Sequence, residues 1–350
     1  DRVQLQASNA LGDYALAADW LVACDGGQSF VRKALGLELH VAAYAGRYVI
    51  IDIELPSRHP VERRAWFDPP WHRGGTVLMH PQPDDIWRID LQLSPDADPV
   101  IEKKPENVRP RVARMLGHDK FEFEWISLYK FQCRRMEKFH HGRVIFAGDA
   151  AHQVSPFGAR GANSGLEDAE NLGWKLDRVL RGLSPERLLD SYHIERSAAA
   201  DENIRESTRS TDFMAPTTNQ EARLRKAVLA LAKETEFGKR MINGGRLSVP
   251  SIYETPLSTP DADVWNGGAR PGSSISDAPL KDSDGQPTYL TDAFVAAGTR
   301  FTVLAFANGV APDVPDDVSV IRIGDGGFAD PAGLLGARYD ATPGAAYLLR

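Results

Sequence analysis

Over the first 140 positions apolar residues come in short alternating or continuous runs; beyond them they recur at helical spacing, so the chain reads as strands first and helices after. Residues 3–5 and 14–24, set around a turn at Gly12-Asp13, have the pattern of paired strands. Trp20-Leu21-Val22-Ala23-Cys24 is almost unbroken apolar sequence and ends in Asp25-Gly26-Gly27, which predicts a buried strand feeding a helix that stops at Gly36. Between 39 and 137 strands are predicted at 48–55, 65–67, 76–80, 86–93 and 121–131, with one helix near 106–116. Trp66, Pro69, Pro70, Trp71 and Trp87 crowd into this stretch and suggest a sheet with one shaped face.

Val144-Ile145-Phe146-Ala147 is a second short buried strand, closed by Gly148-Asp149. Leu166, Ala169, Leu172, Leu176, Val179 and Leu180 then keep helical period, and Ser164 with Glu167 has capping-box spacing at the expected start. Ser184-Pro185 is expected to open a further helix, and Thr218 with Glu221 another. From 250 to 287 Ser, Pro, Asp and Gly predominate, as in a linker. Strands at 301–306, 318–323 and 345–349 follow, with helices near 290–297 and 331–338.

Hydrophobic residues at 42% and charged residues at 25% of 350 exclude a disordered or collagen-like chain, and the length implies two or three domains. The formal charge of −7 is spread along the sequence, with Arg63, Arg64, Arg134 and Arg135 interleaved among acids, which argues against nucleic acid as a partner. Cys24 and Cys133 stand far apart in no ligand-like spacing, so neither a disulfide nor a metal site is expected. The absence of a signal-like start or a long apolar run points to a cytoplasmic protein without a membrane span.

Two places carry the chemistry. A strand ending in Asp or Gly beside a helix start offers free N–H donors and a positive dipole end to phosphate and sugar groups. The first is the run from Leu21 to Arg32, in which Gly26 permits a tight turn, Asp25 can accept hydrogen bonds and Arg32 is a cation one turn along. The second runs from Gly142 through Gly148, Asp149, His152, Pro156, Gly158, Gly161 and Asn163 to Asp168 and Asn171. Its small residues let a planar ligand approach the backbone. Asp149, His152 and Ser155 could suggest a hydrolytic triad, but no GxSxG elbow accompanies them, and His140, His141 and His152 lack the carboxylates or cysteines a zinc site needs.

These two segments resemble the DG and GD motifs of class A flavoprotein monooxygenases, the para-hydroxybenzoate and phenol hydroxylase family, with a particular likeness to 3-(3-hydroxyphenyl)propionate hydroxylase-like proteins. Tyr192 with Glu195-Arg196 resembles the helix after the GD motif, and the tail resembles the thioredoxin-like domain of the phenol hydroxylase branch, without a CxxC pair. The resemblance implies an α/β fold: a partial Rossmann-like FAD-binding domain with an inserted α+β substrate sheet, and a C-terminal thioredoxin-like domain. It divides the chain into 1–38 and 138–249 for FAD, 39–137 for substrate, 250–287 as linker and 288–350 as the incomplete last domain.

The activity implied is hydroxylation of a phenolic ring in aromatic compound catabolism. NADPH or NADH would reduce FAD, and oxygen would form a flavin hydroperoxide that the ring attacks. Asp149 would bind the ribityl chain, with Gly148 in the same motif. Asp25, Gly26 and Arg32 would lie near the pyrophosphate and the pyridine nucleotide path, and Pro156 and Gly158 against the flavin. The amides of Gly161, Ala162 and Asn163 would face the pyrimidine end. Trp66, Trp87, Tyr129 and Phe157 are candidate substrate walls. No single catalytic side chain is named, no metal is implied, and a homodimer is compatible with the family.

Departures from the family pattern matter. Gly158-Ala159-Arg160-Gly161 replaces the usual Gly-Gly-Gln-Gly, so Arg160 either holds negative charge near the flavin edge or points to solvent. The halogenase Trp-x-Trp-x-Ile-Pro segment is absent. No GxGxxG follows a strand, since Gly324-Asp325-Gly326-Gly327 lacks the third glycine, and the adenosine-diphosphate half of the FAD site has no counterpart. The expectation is therefore a natural product longer at its N-terminus, with this chain alone binding FAD poorly. The rival reading is a non-catalytic fragment or scaffold that binds no flavin by itself.

Overall fold

A computed structural model describes residues 2–55, 60–216, 218–243, 248–255, 257–258, 265–298, 301–306 and 313–350. Positions 256 and 259–264 of the expected linker lie outside the described residues. The fold is α/β, in two units: Asp1–Glu170 with Ala200–Ser248, and Asn171–Ala199 with Val249–Arg350.

The first unit opens on the hairpin β1 (Val3–Asn9) and β2 (Gly12–Ala18). Next come β3 (Leu21–Ala23) and α1 (Phe30–Ala34), which Ser29 caps by accepting from the Arg32 amide; Gly36 ends the turn at φ 66°. The large sheet follows: β4 (His40–Glu54), β5 (Arg64–Phe67), β6 (Thr76–Pro81), β7 (Ile86–Gln92), then α2 (Pro99–Glu102), α3 (Pro105–Leu116) and β8 (Glu122–Arg135). With β9 (His140–His141), β10 (Val144–Phe146) and β11 (His152–Gln153) two sheets are complete, ordered β3-β10-β9 and β11-β8-β4-β7-β6-β5.

Strand alternation divides the large sheet into two faces. Val49, Ile51, Ile53, Val77, Met79, Trp87, Ile89 and Leu91 pack on one, against Val108 and Val112 of α3. Tyr48, Leu78, Phe131 and Phe157, with Ile50 and Met214, make the core on the other. That second face also carries charge. Arg88 grips Asp52 through two bonds of 2.8 and 2.7 Å, and the register places Asp90 between Ile50 and Leu78. Burial pushes the Asp90 carboxyl up to about 6 against the pull of Arg63 and Arg88.

Helices α4 (Arg160–Leu180) and α5 (Leu188–Met214) each give residues to both units, and α6 (Asn219–Glu234) and α7 (Glu236–Asn243) belong to the first. The Thr218–Glu221 capping box forms at the start of α6. The Ser164–Glu167 box does not: α4 begins four residues earlier, and the buried Ser164 hydroxyl accepts instead from Asn203. Likewise α5 starts at Leu188, after a turn at Pro185.

The second unit is built on β12 (Pro279–Lys281), β13 (Pro287–Tyr289), α8 (Leu290–Ala296), β14 (Phe301–Phe306), β15 (Val318–Ile323), α9 (Leu334–Arg338) and β16 (Ala346–Leu349), with sheet order β15-β14-β16. β14 is parallel to β15 and antiparallel to β16. Lys175 and Glu195 form a fully buried pair at 2.7 Å, Asn171 and Arg350 bind the same carboxylate, and the rings of Trp174 and Phe301 meet edge to face. The Thr342–Pro343 bond, at a position where a thioredoxin fold often has a cis bond, is trans.

Candidate flavin and substrate site

The two sequence motifs meet in the first unit. β3 and β10 run parallel, pairing Leu21 with Val144 and Ala23 with Phe146, so both strands deliver their loops at the same end. Parallel strands place ligand sites in the crevice beyond their carboxyl ends. There Gly148 turns at φ 58° and leaves Asp149 exposed. Gly27 passes so close to Gln153 that a Cβ on it would lie 1.9 Å from Nε2, so any other residue here would displace the end of that glutamine side chain.

Arg32 ties the loops together. It is buried, its Nη1 donates to the Ala150 carbonyl at 2.7 Å and its Nη2 to the Gly27 carbonyl at 2.8 Å. Asp25, exposed next to Gly26, accepts from the Val31 amide at 3.1 Å and from Ser29; these bonds outweigh desolvation and lower its pKa. Both residues thus have structural partners in the loop that the resemblance assigns to pyrophosphate.

A tie that the sequence reading did not name holds the second loop from beneath. Asp168, fully buried on α4, accepts from the Gly148 amide and from His152 Nε2, each at 2.7 Å, and the His152 ring stacks on Phe139. His152 is therefore committed to Asp168. Ser155 bonds to Thr211 and Ser207, so the apparent Asp149-His152-Ser155 triad dissolves. The signal was the spacing of an aspartate on the apolar face of a helix sixteen residues after a histidine.

The chain from Pro156 to Asn163 makes the rim. Pro156, Ala159, Ala162 and Asn163 are exposed and small or narrow, and the first-turn amides of α4, including Gly161, have no partner within the helix. Arg160 is 4% exposed and its Nη1 donates to Asn203 at 2.8 Å, which sets aside the solvent-pointing alternative. Gly158 and Ala159 both have left-handed φ, 98° and 55°. For alanine this costs about 1 kcal/mol. Ala159→Gly is accordingly expected to stabilise the protein by about 0.5 kcal/mol, after the glycine's extra chain entropy, as measured by urea unfolding. An unchanged or lower midpoint would show the strain is absent.

Phe157 and Gly158 also wall a cavity of about 740 Å³ within this unit. Its other walls include Arg63, Ala65 and Phe67 of the β5 region, Leu78, the end of α5, and Arg225 and Val228 of α6. Of the candidate substrate walls, Phe157 alone lines it. Trp66 alternates to the opposite face of β5 and meets Trp71, and Trp87 is in the α3 core. Tyr129 stands beside Phe131, its pKa raised first by burial and then by the charge of Asp149.

A family model described as an FAD binding domain matches residues 2–207. The chain belongs to the FAD-binding class A flavoprotein monooxygenases. It is 29% identical to a 3-(3-hydroxy-phenyl)propionate/3-hydroxycinnamic acid hydroxylase of Mycolicibacterium gilvum, over 89% of this chain and 53% of that protein. A 12-dehydrotetracycline 5-monooxygenase/anhydrotetracycline 6-monooxygenase of Streptomyces rimosus is 28% identical, over 99% of this chain and 66% of its own length. The chain thus spans between about half and two thirds of these relatives. Among solved structures, the OxyS anhydrotetracycline hydroxylase from Streptomyces rimosus superposes with a TM-score of 0.72 at 26% identity, covering 100% of this chain and 67% of that one. Aklavinone-11 hydroxylase, in a complex with FAD and aklavinone, shares the fold with a TM-score of 0.76 at 24% identity, over 100% and 65%.

Among the described residues no helix is long and apolar enough to cross a membrane.

Proposed function

We propose that this flavoprotein monooxygenase chain serves the hydroxylation of a phenolic aromatic compound by FAD, oxygen and a reduced pyridine nucleotide. The observation that carries the reading is that Phe157 and Gly158 belong at once to the wall of the 740 Å³ cavity and to the loop that enters α4. A flavin held on that loop would have its ring at the cavity. The residues present fit the cofactor: an exposed aspartate after a buried strand, two left-handed glycines, and a rim of small residues before free helix amides. The relatives named as aromatic hydroxylases and tetracycline monooxygenases support the same chemistry.

In this reading Asp149 accepts hydrogen bonds from the ribityl hydroxyls. The first-turn amides around Gly161, Ala162 and Asn163 stabilise negative charge at the pyrimidine end, as a helix N-terminus does. FAD, when bound, supplies the oxygen-activating redox chemistry. The chain's own part is to orient the ring and exclude water, and Phe67, Leu78, Phe157 and Val228 form an apolar wall suited to that. Arg32 and Asp168 keep the two loops in register.

Asp149→Ala should weaken FAD binding at least tenfold, because a lost charge-assisted hydrogen bond is worth about 1.5–3 kcal/mol. Fluorescence titration with FAD reads this out. Equal affinity in the variant would remove Asp149 from the flavin site.

A further inference from the structure

The cavity wall carries a buried cation that the protein compensates only in part. Arg225 is 7% exposed, yet it lies on α6 one turn from buried Val228, in what would otherwise be an apolar stripe. Its guanidinium stacks over Phe67, with Cζ 4.7 Å from the ring centroid. Nη1 donates to the Met214 carbonyl at 3.1 Å and reaches Thr76 Oγ1 at 3.4 Å. Its Nε is buried and finds no acceptor among the described residues, and no carboxylate there pairs with it. Burial lowers its pKa, and Asp68 raises it only in part.

Charges elsewhere on the cavity wall are already engaged or nearer solvent. Glu206 pairs with Arg209 and Arg205, and Glu221 accepts from the Thr218 amide in the α6 capping box. Asp212 is partly buried and has its pKa raised, first by burial and then by Glu221. Arg63 and Arg209 are exposed. An unpaired buried charge is costly unless a ligand completes it. Against Arg225 stand the Phe67 ring, Thr76 and the Met214 carbonyl, and the cavity wall also carries the apolar Leu78, Phe157 and Val228.

We propose that Arg225 is the specificity-determining cation of this cavity, selecting an aromatic molecule that carries an anionic oxygen and binding that oxygen against the Phe67 face. The inference rests on the reading of the cavity as the substrate site but needs no flavin for its test. An anion pairs with a desolvated guanidinium by charge-assisted hydrogen bonds, which a neutral group of the same size forms less strongly.

Calorimetric titration of the 350-residue chain with 3-(3-hydroxyphenyl)propionate and with the near-isosteric neutral 3-(3-hydroxyphenyl)propanamide, each with and without excess FAD, separates the possibilities. The carboxylate is expected to bind the wild type about tenfold or more tighter than the amide. Arg225→Gln should bring the two within about twofold while keeping amide affinity, and Arg225→Lys should restore part of the preference. If Arg225→Gln fails to fold, Arg225→Met takes its place with the same expectation. Equal binding of the two probes, binding of neither, or a preference that survives Arg225→Gln overturns the proposal. A carboxylate preference that Arg225→Gln abolishes upholds Arg225 whether or not FAD binds, whereas bound FAD that leaves both probe affinities unchanged counts against a flavin beside the cavity.

Discussion

Asp168→Ala is expected to destabilise the chain by about 3–5 kcal/mol, the loss typical when one member of a buried charged network is removed. The carboxylate sits wholly inside the protein and accepts from two groups of the same loop, the Gly148 amide and His152 Nε2, both at 2.7 Å. Truncation leaves two donors without a partner, and at about 1–3 kcal/mol each they account for that loss. It also frees the turn that presents Asp149, so FAD affinity should fall with stability. Asp168→Asn keeps an acceptor in place and should lose less. Urea unfolding of the three proteins checks the ranking. A loss below about 1 kcal/mol for the alanine variant would mean that the loop is held by something else.

Asp90 gives the second large effect, and it depends on pH. Its carboxyl ordinarily titrates at 3.8, and burial moves it to about 6 in the folded chain. Below pH 4 it is protonated in both states and contributes nothing to the balance. Between about pH 4 and 6 the unfolded chain releases the proton first, so stability falls as pH rises; above 6 the full cost, about 2–3 kcal/mol, is in force. Asp90→Asn cannot ionise. The variant should therefore gain about 2–3 kcal/mol relative to wild type on going from pH 4 to pH 7.5, measured by paired urea titrations. A pH-independent difference would show that Asp90 is solvated or compensated by Arg63 and Arg88.

Local patterns made much of the fold legible. The apolar run from Tyr48 to Leu55 announced a strand, although the expected sheet had one shaped face and the structure packs both, and Thr218 with Glu221 gave the start of α6 directly. Leu21 to Asp25 and Val144 to Asp149 showed where the two loops would be, because strand, turn and small residues are all local signals. What joins the loops was not local. Arg32 reaches Ala150 across 118 positions, and no spacing rule predicts that partner. The start of α4 was misplaced by four residues because Ala159 takes a left-handed turn that alanine rarely adopts, which lets Arg160 rather than Ser164 begin the helix.

The aromatic residues show the limit from another side. Trp66 and Trp87 drew notice by size, but position in the alternation decides which face a strand residue serves: Ala65 and Phe67 face the cavity, Trp66 does not. Arg225 could have been noticed as a charge inside the apolar stripe of α6. Its burial, however, depends on Phe67, Thr76 and Met214, which come from three other parts of the chain.

The central claim is that the loop after Asp149 and the 740 Å³ cavity form one flavin and substrate site. Visible circular dichroism of the chain with excess FAD reads bound flavin, and addition of 3-(3-hydroxyphenyl)propionate then tests whether a cavity ligand lies against it. The account predicts an induced flavin signal, weakened in Asp149→Ala, whose band positions shift as the phenol saturates. A flavin signal indifferent to a phenol shown by calorimetry to be bound would contradict it.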